Sequence, residues 1–240
     1  MTFRRRTALR LKRLLDVVGA LTALILLSPV LAWIAIAILV TQGRPILFRQ
    51  ERPGLDARPF TILKFRSMRA PRDDEVSYLT DEIRITRLGS FLRSTSLDEL
   101  PELVNVLRGD MSLVGPRPLF SHYLDHYTEI EHRRHEMRPG ITGWAVVNGR
   151  NRLQFKERVR LDVWYIEHWS LGLDLRILLL TIKQVLHRTD VAIVEDDLAL
   201  GFPMAGQIHP SAGVGGDAEP AAGSDASTEP GRPAGRSGRP

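Results

Sequence analysis

No cysteine occurs in the 240 residues, which excludes a disulfide framework and any thiolate metal site. Neither GxGxxG nor GxxxxGK[ST] is present, so nucleotide binding through the glycine-rich cradles of the dinucleotide-binding and P-loop folds has no support. Histidines are few and ill-grouped. His122 and His126 stand four apart, and His132 and His135 three apart. Either spacing suits a metal on one helix face, but no HExxH and no third ligand class accompany them, and they read as surface residues. There is no internal repeat. Acidic residues are missing from the start of the chain: Arg4, Arg5, Arg6, Arg10, Lys12 and Arg13 all precede the first acid, although overall 33 Lys and Arg face 28 Asp and Glu, for a formal charge of +5. A basic block of this kind suits anionic lipid head groups or a nucleic-acid backbone.

What is present begins with an apolar run, "VVGALTALILLSPVLAWIAIAILV", uncharged from Val17 to Val40. It is too long for a removable signal peptide, and no small-residue cleavage site follows it. As a helix it reaches about 36 Å, enough to cross a hydrocarbon core of about 30 Å. Two features complicate a simple crossing. Pro29, after Ser28, removes a backbone donor near the middle and predicts a kink. Both flanks are basic, with Arg44, Arg49 and Arg52 on the far side, and basic flanks prefer the cytoplasm. A kinked spanning helix and a re-entrant hairpin both remain open on these residues alone.

Beyond Gly43 the composition is globular. "PILFRQERPG" and "RPFTILKFRSM" read as two strands around a "PGLD" turn. Residues 70–86 read as a polar loop. Leu100, Leu103, Val104 and Leu107 have helical spacing, and Gly109 is placed to stop that helix. "HYLDHYTEIEHRRHEM", "RVRLDVWYIEHW" and "LDLRILLLTIKQVLHR" read as further helices, the last either a core helix or one lying in a membrane interface. "RPGITGWAVVNGR" is strand-like, with turns at both ends. The sequence therefore divides into a basic interfacial helix (1–16), a membrane element (17–42), a globular domain (43–190), a short segment (191–202), and a Gly/Pro/Ala/Ser-rich tail (203–240) too polar to form a core and expected to be disordered. The fold class is mixed α/β and helix-rich, on a membrane-associated domain.

The stretch "SLDELPELVNVLRGDMSLVGPRP" carries the chemistry. Asp98 and Glu99 open the helix there, and two meanings compete. Ser96-Leu-Asp-Glu matches a capping box, and Asp98 could itself cap. Alternatively, an aspartate is a nucleophile toward phosphorus, forming an acyl-phosphate, provided cations screen its charge. Mg2+ held by one or two carboxylates and by substrate phosphates is the usual device. Candidate cations surround the pair. Arg93 precedes it by five residues, Arg117 lies between two prolines, Lys64 and Arg66 alternate along "LKFRSM", and Arg150 follows an Asn-Gly turn. Each alone reads most simply as a solvated surface charge; together they are candidates for a phosphate-binding set.

These stretches, with "KRLLD", the Ser28-Pro29 pair, "GRPILFRQERPG", "RPGITGWAVVNGR" and "LDVWYIEHWSLGLDLRIL", resemble the bacterial sugar transferases, small monotopic phosphoglycosyl transferases, from about Lys12 to Arg188. The resemblance implies an enzyme of the bacterial plasma membrane, with its catalytic domain on the cytoplasmic face and a re-entrant hairpin broken at Ser28-Pro29. It implies transfer of a sugar 1-phosphate from a nucleotide diphosphate sugar, with uridine the expected nucleotide, to polyprenyl (undecaprenyl) phosphate at the start of surface-glycan assembly. It further implies an Asp98-Glu99 catalytic dyad with Mg2+, and active-site positions for Arg93 and Arg117. Two residues depart from the pattern: Val146, where glutamine is common, and Ala57, where glycine is common. Two other functions fit the basic membrane element, a tethered nucleic-acid binder and a non-catalytic scaffold. The first lacks aromatics interleaved with its basic residues, and the intact dyad disfavours the second.

Overall fold

Among the described residues, a long N-terminal helix lies along a small α/β body with two sheets of two strands each. The computed structural model describes residues 3–70, 84–149 and 153–187, all within one compact unit, Met1–Ile208. Most of the expected loop, Arg150, the 191–202 segment and the tail lie outside the described residues.

Helix α1 spans Phe3–Gln42 without interruption, so the expected interfacial and membrane elements are one helix. At 1.5 Å per residue it is about 60 Å long. Helical hydrogen bonding carries through Pro29 with local help. Proline cannot supply the N–H that would reach the Ile25 carbonyl, and the Ser28 hydroxyl donates to that oxygen instead, at 2.8 Å. Lys12, Asp16, Ala20, Ile34 and Ile38 form a buried stripe, whereas Leu15, Val18, Ile25, Leu26, Trp33 and Ile36 on the other face are exposed. An apolar outer face of this extent is suited to lipid rather than water. Among the described residues, α1 is the one helix long and apolar enough to cross a membrane.

Both ends of α1 are fastened to the same body. Lys12 Nζ donates to the Val114 carbonyl at 2.9 Å and to Asp174 at 2.7 Å. The Asp16 carboxylate accepts from Ser112 Oγ and from the Leu113 amide. At the far end, Gln42 Nε2 donates to Thr86 Oγ1 at 3.2 Å and to the Arg66 carbonyl at 3.4 Å.

Strands β1 (Leu47–Pro53) and β2 (Pro59–Phe65) form the expected antiparallel hairpin, with Leu47 opposite Phe65 and Pro53 opposite Pro59. Its turn holds Ala57 at φ 58, a left-handed conformation that glycine adopts at little cost; the alanine there is a local strain. Helix α2 (Arg87–Ser94) is capped by Thr86, whose hydroxyl accepts from the Gly89 amide. Helix α3 (Glu102–Arg108) stops at Gly109, φ 93, as its sequence required. The fully buried Asn105 ties α3 to β2: it accepts from the Leu63 amide and donates to the Thr61 carbonyl at 2.7 Å. Ala20, Ile62, Leu103, Val106 and Met111 pack α1, β2 and α3 into one core.

Strand β3 (Ser112–Val114) pairs in parallel with β4 (Gly140–Thr142). The single helix expected over 122–137 is instead a 3-10 turn (Ser121–His126), a one-turn helix α4 (Glu129–His132) and a second 3-10 turn (Arg133–Glu136). The break comes at Thr128, whose extended backbone starts a capping box with Glu131. "GITGWAVV" gives β4 and then a short helix α5 (Trp144–Val147), on which Val146 is half-buried. Helix α6 (Phe155–His168) packs inside, while α7 (Leu171–His187) buries Ile177 and turns Leu175, Leu179, Ile182 and Val185 outward. That outward stripe fits the interfacial alternative for α7.

Candidate active site

The dyad is not a helix cap. Ser96 takes a left-handed conformation, φ 58, and makes no side-chain cap hydrogen bond. Asp98 and Glu99 fall in a 3-10 turn, Leu97–Glu99, and the residue before α3 is Pro101. The two neighbours face different surroundings. Glu99 is gripped by cations: Lys64 Nζ donates to its Oε1 at 2.7 Å, Arg117 Nη1 to its Oε2 at 3.3 Å, and Arg117 Nη2 to its Oε1. Asp98, only 8% exposed, enters no hydrogen bond or ion pair among the described residues.

The electrostatics separate the two in the same way. Burial alone would raise the Glu99 carboxyl, but Arg117 and Lys64 outweigh it and hold Glu99 far below the usual carboxylate range. Burial, reinforced by the charge on Glu99, raises Asp98 above its ordinary value, with Lys64, Arg93 and Arg117 opposing. Asp98 is thus a carboxylate whose negative charge is costly until further cationic partners arrive.

Each element has a part in this arrangement. Strand alternation turns Lys64 toward the dyad. Helix α2 carries Arg93 in its last turn, where Nε donates to Ser67 Oγ at 3.0 Å. Arg117 lies in the loop after β3, beyond Gly115 and Pro116, and that loop is fastened by Gly115 N to Thr142 O at 2.9 Å and Gly140 N to Pro116 O at 3.0 Å. Gly115 has to be glycine, because a Cβ there would stand 2.3 Å from the Arg138 carbonyl. The Arg117 side chain remains 34% exposed, leaving donors open to an incoming anion.

The structure therefore brings Asp98, Glu99, Lys64, Arg93 and Arg117 together. Arg66 is not among them. β2 ends at Phe65, so alternation does not carry to Arg66, whose guanidinium donates to the carbonyls of Gln42, Gly43 and Arg44 at the end of α1. Arg150 lies outside the described residues.

Sequence reasoning missed Glu102. It is 1% exposed, and its Oε1 lies 3.2 Å from Lys64 Nζ yet has no hydrogen-bond partner. Burial and the nearby Glu99 push it up to about 7. Its place one turn after the dyad, at the start of an apolar helix, was the available signal. No group of three His, Asp or Glu able to hold a metal gathers among the described residues, and the histidine pairs form no such site.

The chain that carries this constellation belongs to a known class. Residues 7–188 match the sequence profile of the bacterial sugar transferases, and the chain is a member of that family. It is 49% identical over 176 residues to an uncharacterized sugar transferase, EpsL, of Bacillus subtilis (strain 168), covering 73% of this chain and 87% of that protein. It is 43% identical over 182 residues to the UDP-glucose:undecaprenyl-phosphate glucose-1-phosphate transferase of Escherichia coli (strain K12), covering 72% of this chain and 39% of that protein. A protein of the same name in Caulobacter vibrioides is 44% identical over 185 residues, covering 73% of this chain and 69% of that one. The chain thus spans about two fifths of the Escherichia coli relative's length.

Proposed function

We propose that this chain transfers a sugar 1-phosphate from a UDP-sugar to polyprenyl phosphate through a phosphosugar-aspartate intermediate, at the start of surface-glycan assembly. The Asp98 carboxylate attacks the β-phosphorus. The bond from that phosphorus to the bridging oxygen breaks, and uridine monophosphate leaves with the electron pair. A polyprenyl phosphate oxygen then attacks the same phosphorus, the aspartyl–phosphorus bond breaks, and Asp98 returns as a carboxylate beside polyprenyl-diphosphate sugar. The observation that carries this reading is the asymmetry of the dyad: Glu99 is fixed by Lys64 and Arg117, while the buried Asp98 carboxylate is unengaged. Arg93, Lys64 and Arg117 supply positive charge where the transferring phosphoryl group gains negative charge.

Mg2+ is consistent with the donors present. Among the described residues they are hard carboxylate oxygens too few to cage an ion, which fits an ion bound largely through substrate phosphates. Asp98 and Glu99 would hold it from the protein side, and it would supply neutralisation of the diphosphate charge.

The topology we infer is re-entrant, with the body on the cytoplasmic face of the plasma membrane. Lys12 and Asp16 precede the apolar run and Gln42 follows it, yet all three bond the same body. A helix crossing a core of about 30 Å would carry those ends to opposite faces. The Pro29 position, where a backbone donor is missing, is the natural place for the helix to bend in a bilayer.

The direct test incubates the membrane-bound enzyme with individual UDP-hexoses and undecaprenyl phosphate and measures uridine monophosphate release. Release with at least one sugar, dependent on the lipid phosphate for repeated turnover, is expected. Failure with every UDP-sugar tried would remove the proposal.

A further inference from the structure

Behind Arg117 lies a second arginine that the reaction as described does not use. Arg134 is 2% exposed, one of the largest side chains fully enclosed in the fold. Its Nη2 donates to Asp162 Oδ2 at 2.6 Å and to the Arg117 carbonyl at 2.7 Å, and its Nη1 donates to the Tyr127 hydroxyl at 2.7 Å. Asp162, on α6, is equally buried, at 1%. Taking both charges out of water costs several kcal/mol per ion, and a well-packed apolar pair would often be as stable. Stability alone therefore explains this pair poorly.

Its geometry offers a better explanation. Arg117 sits between Pro116 and Pro118. Pro118 has no N–H, so the carbonyl of Arg117 is the only hydrogen-bonding group its peptide link to Pro118 offers. Arg134 takes that carbonyl. The backbone of Arg117 is then fixed by Arg134, which is fixed by Asp162, while the side chain of Arg117 grips Glu99. The guanidinium fork makes this possible: one Nη serves Asp162 and the Arg117 carbonyl together, and the other serves Tyr127.

We infer that Arg134, held by Asp162, is a positioning residue for the transfer reaction, setting Arg117 and through it the Glu99 carboxylate beside Asp98. This rests on the proposed function, because it takes Arg117 and Glu99 to be machinery of the sugar-phosphate transfer.

The test measures the burst of uridine monophosphate from a UDP-sugar in the absence of lipid acceptor. Wild-type enzyme is assayed first; absence of any release would remove the function on which the inference rests. Given wild-type release, the double variant Arg134→Met/Asp162→Leu removes both buried charges and leaves neither unpaired; only the Arg117 carbonyl and the Tyr127 hydroxyl lose a partner, so its thermal midpoint should fall by a few degrees with the fold intact. Its burst rate constant should fall about 10- to 100-fold, as expected for a sub-ångström to ångström displacement of a catalytic group, with the UDP-sugar KM changed by less than about twofold. In an Arg117→Lys background the same double variant should add little, because the geometry it protects is already lost. A folded double variant with a wild-type burst, or a loss that multiplies fully onto that of Arg117→Lys, overturns the inference. If the double variant does not fold, Arg134→Lys decides: it keeps the charge opposite Asp162 but not the fork, and a wild-type burst in that variant overturns the inference equally.

Discussion

Arg117 holds Glu99 through both terminal nitrogens of its guanidinium, one to each carboxylate oxygen. The pairing is bidentate, and lysine cannot reproduce it. Arg117→Lys should therefore keep the local charge and still lower kcat by about 10- to 100-fold, since the cost is geometric. Steady-state rates at saturating UDP-sugar check this; turnover within a factor of two of wild type would reduce Arg117 to a general positive charge.

Glu102 gives the site a pH signature in stability. Its folded-state value is raised from 4.5 to about 7. Between those values the unfolded chain has released the proton while the folded chain retains it, so the contribution of Glu102 is fully present below 4.5 and is lost as pH rises through about 7. Glu99, shifted down, works in the opposite sense: its contribution is present above 4.5 and lost only as pH falls through its lowered value. Glu102→Gln should thus stabilise the protein at pH 8 relative to pH 5, by an amount on the order of 3 kcal/mol. Denaturation in detergent at the two pH values measures it. An equal effect at both would mean that Glu102 is an ordinary carboxylate.

The junction of α1 with the body depends on a buried ion pair. Lys12 and Asp174 are each under 10% exposed, and Asp174 also accepts from Tyr165 and Trp169. Lys12→Met leaves the acid without its cation, which costs about 3–5 kcal/mol where nothing compensates and somewhat less here, where two neutral donors remain. The thermal midpoint should fall by several degrees. An unchanged midpoint would show that the helix is fastened elsewhere.

The re-entrant topology is open to a clean labelling experiment because the chain has no cysteine of its own. Single cysteines at Thr2 and Ser211 should both resist an impermeant thiol reagent in intact cells and both react after permeabilisation. Labelling of just one from outside would establish a crossing helix.

Much of this was legible in the sequence, and what was not has local causes. The β1–β2 hairpin and the stop at Gly109 followed from alternation, turn residues and helical spacing, whereas the active-site positions of Arg93 and Arg117 followed from the family resemblance and Lys64 was one of several candidate cations. Arg66 was misplaced because alternation was carried one residue past the end of β2. The expected helix over 122–137 was interrupted because Thr128 caps locally more strongly than the apolar spacing propagates. The capping box at Ser96 was a false signal: its residue pattern fits, but the left-handed backbone there does not. Asp162, Arg134 and Glu102 were missed for one shared reason. Sequence patterns treat charged residues as exposed, and only three-dimensional pairing shows which are enclosed.

The central claim is that Asp98 forms a covalent bond to phosphorus, and one rapid-quench experiment addresses it. Wild type and Asp98→Asn are mixed with UDP-sugar labelled in the sugar, without polyprenyl phosphate, and stopped in acid. Asparagine matches aspartate in size and leaves no charge at this buried position, but it cannot form an acyl-phosphate, so the variant should fold and remain unlabelled. Wild type should release uridine monophosphate in a burst of about one per chain and carry the label on the peptide containing Asp98. Active wild-type enzyme with no label on that peptide, or an Asp98→Asn enzyme that turns over normally, would contradict the covalent mechanism.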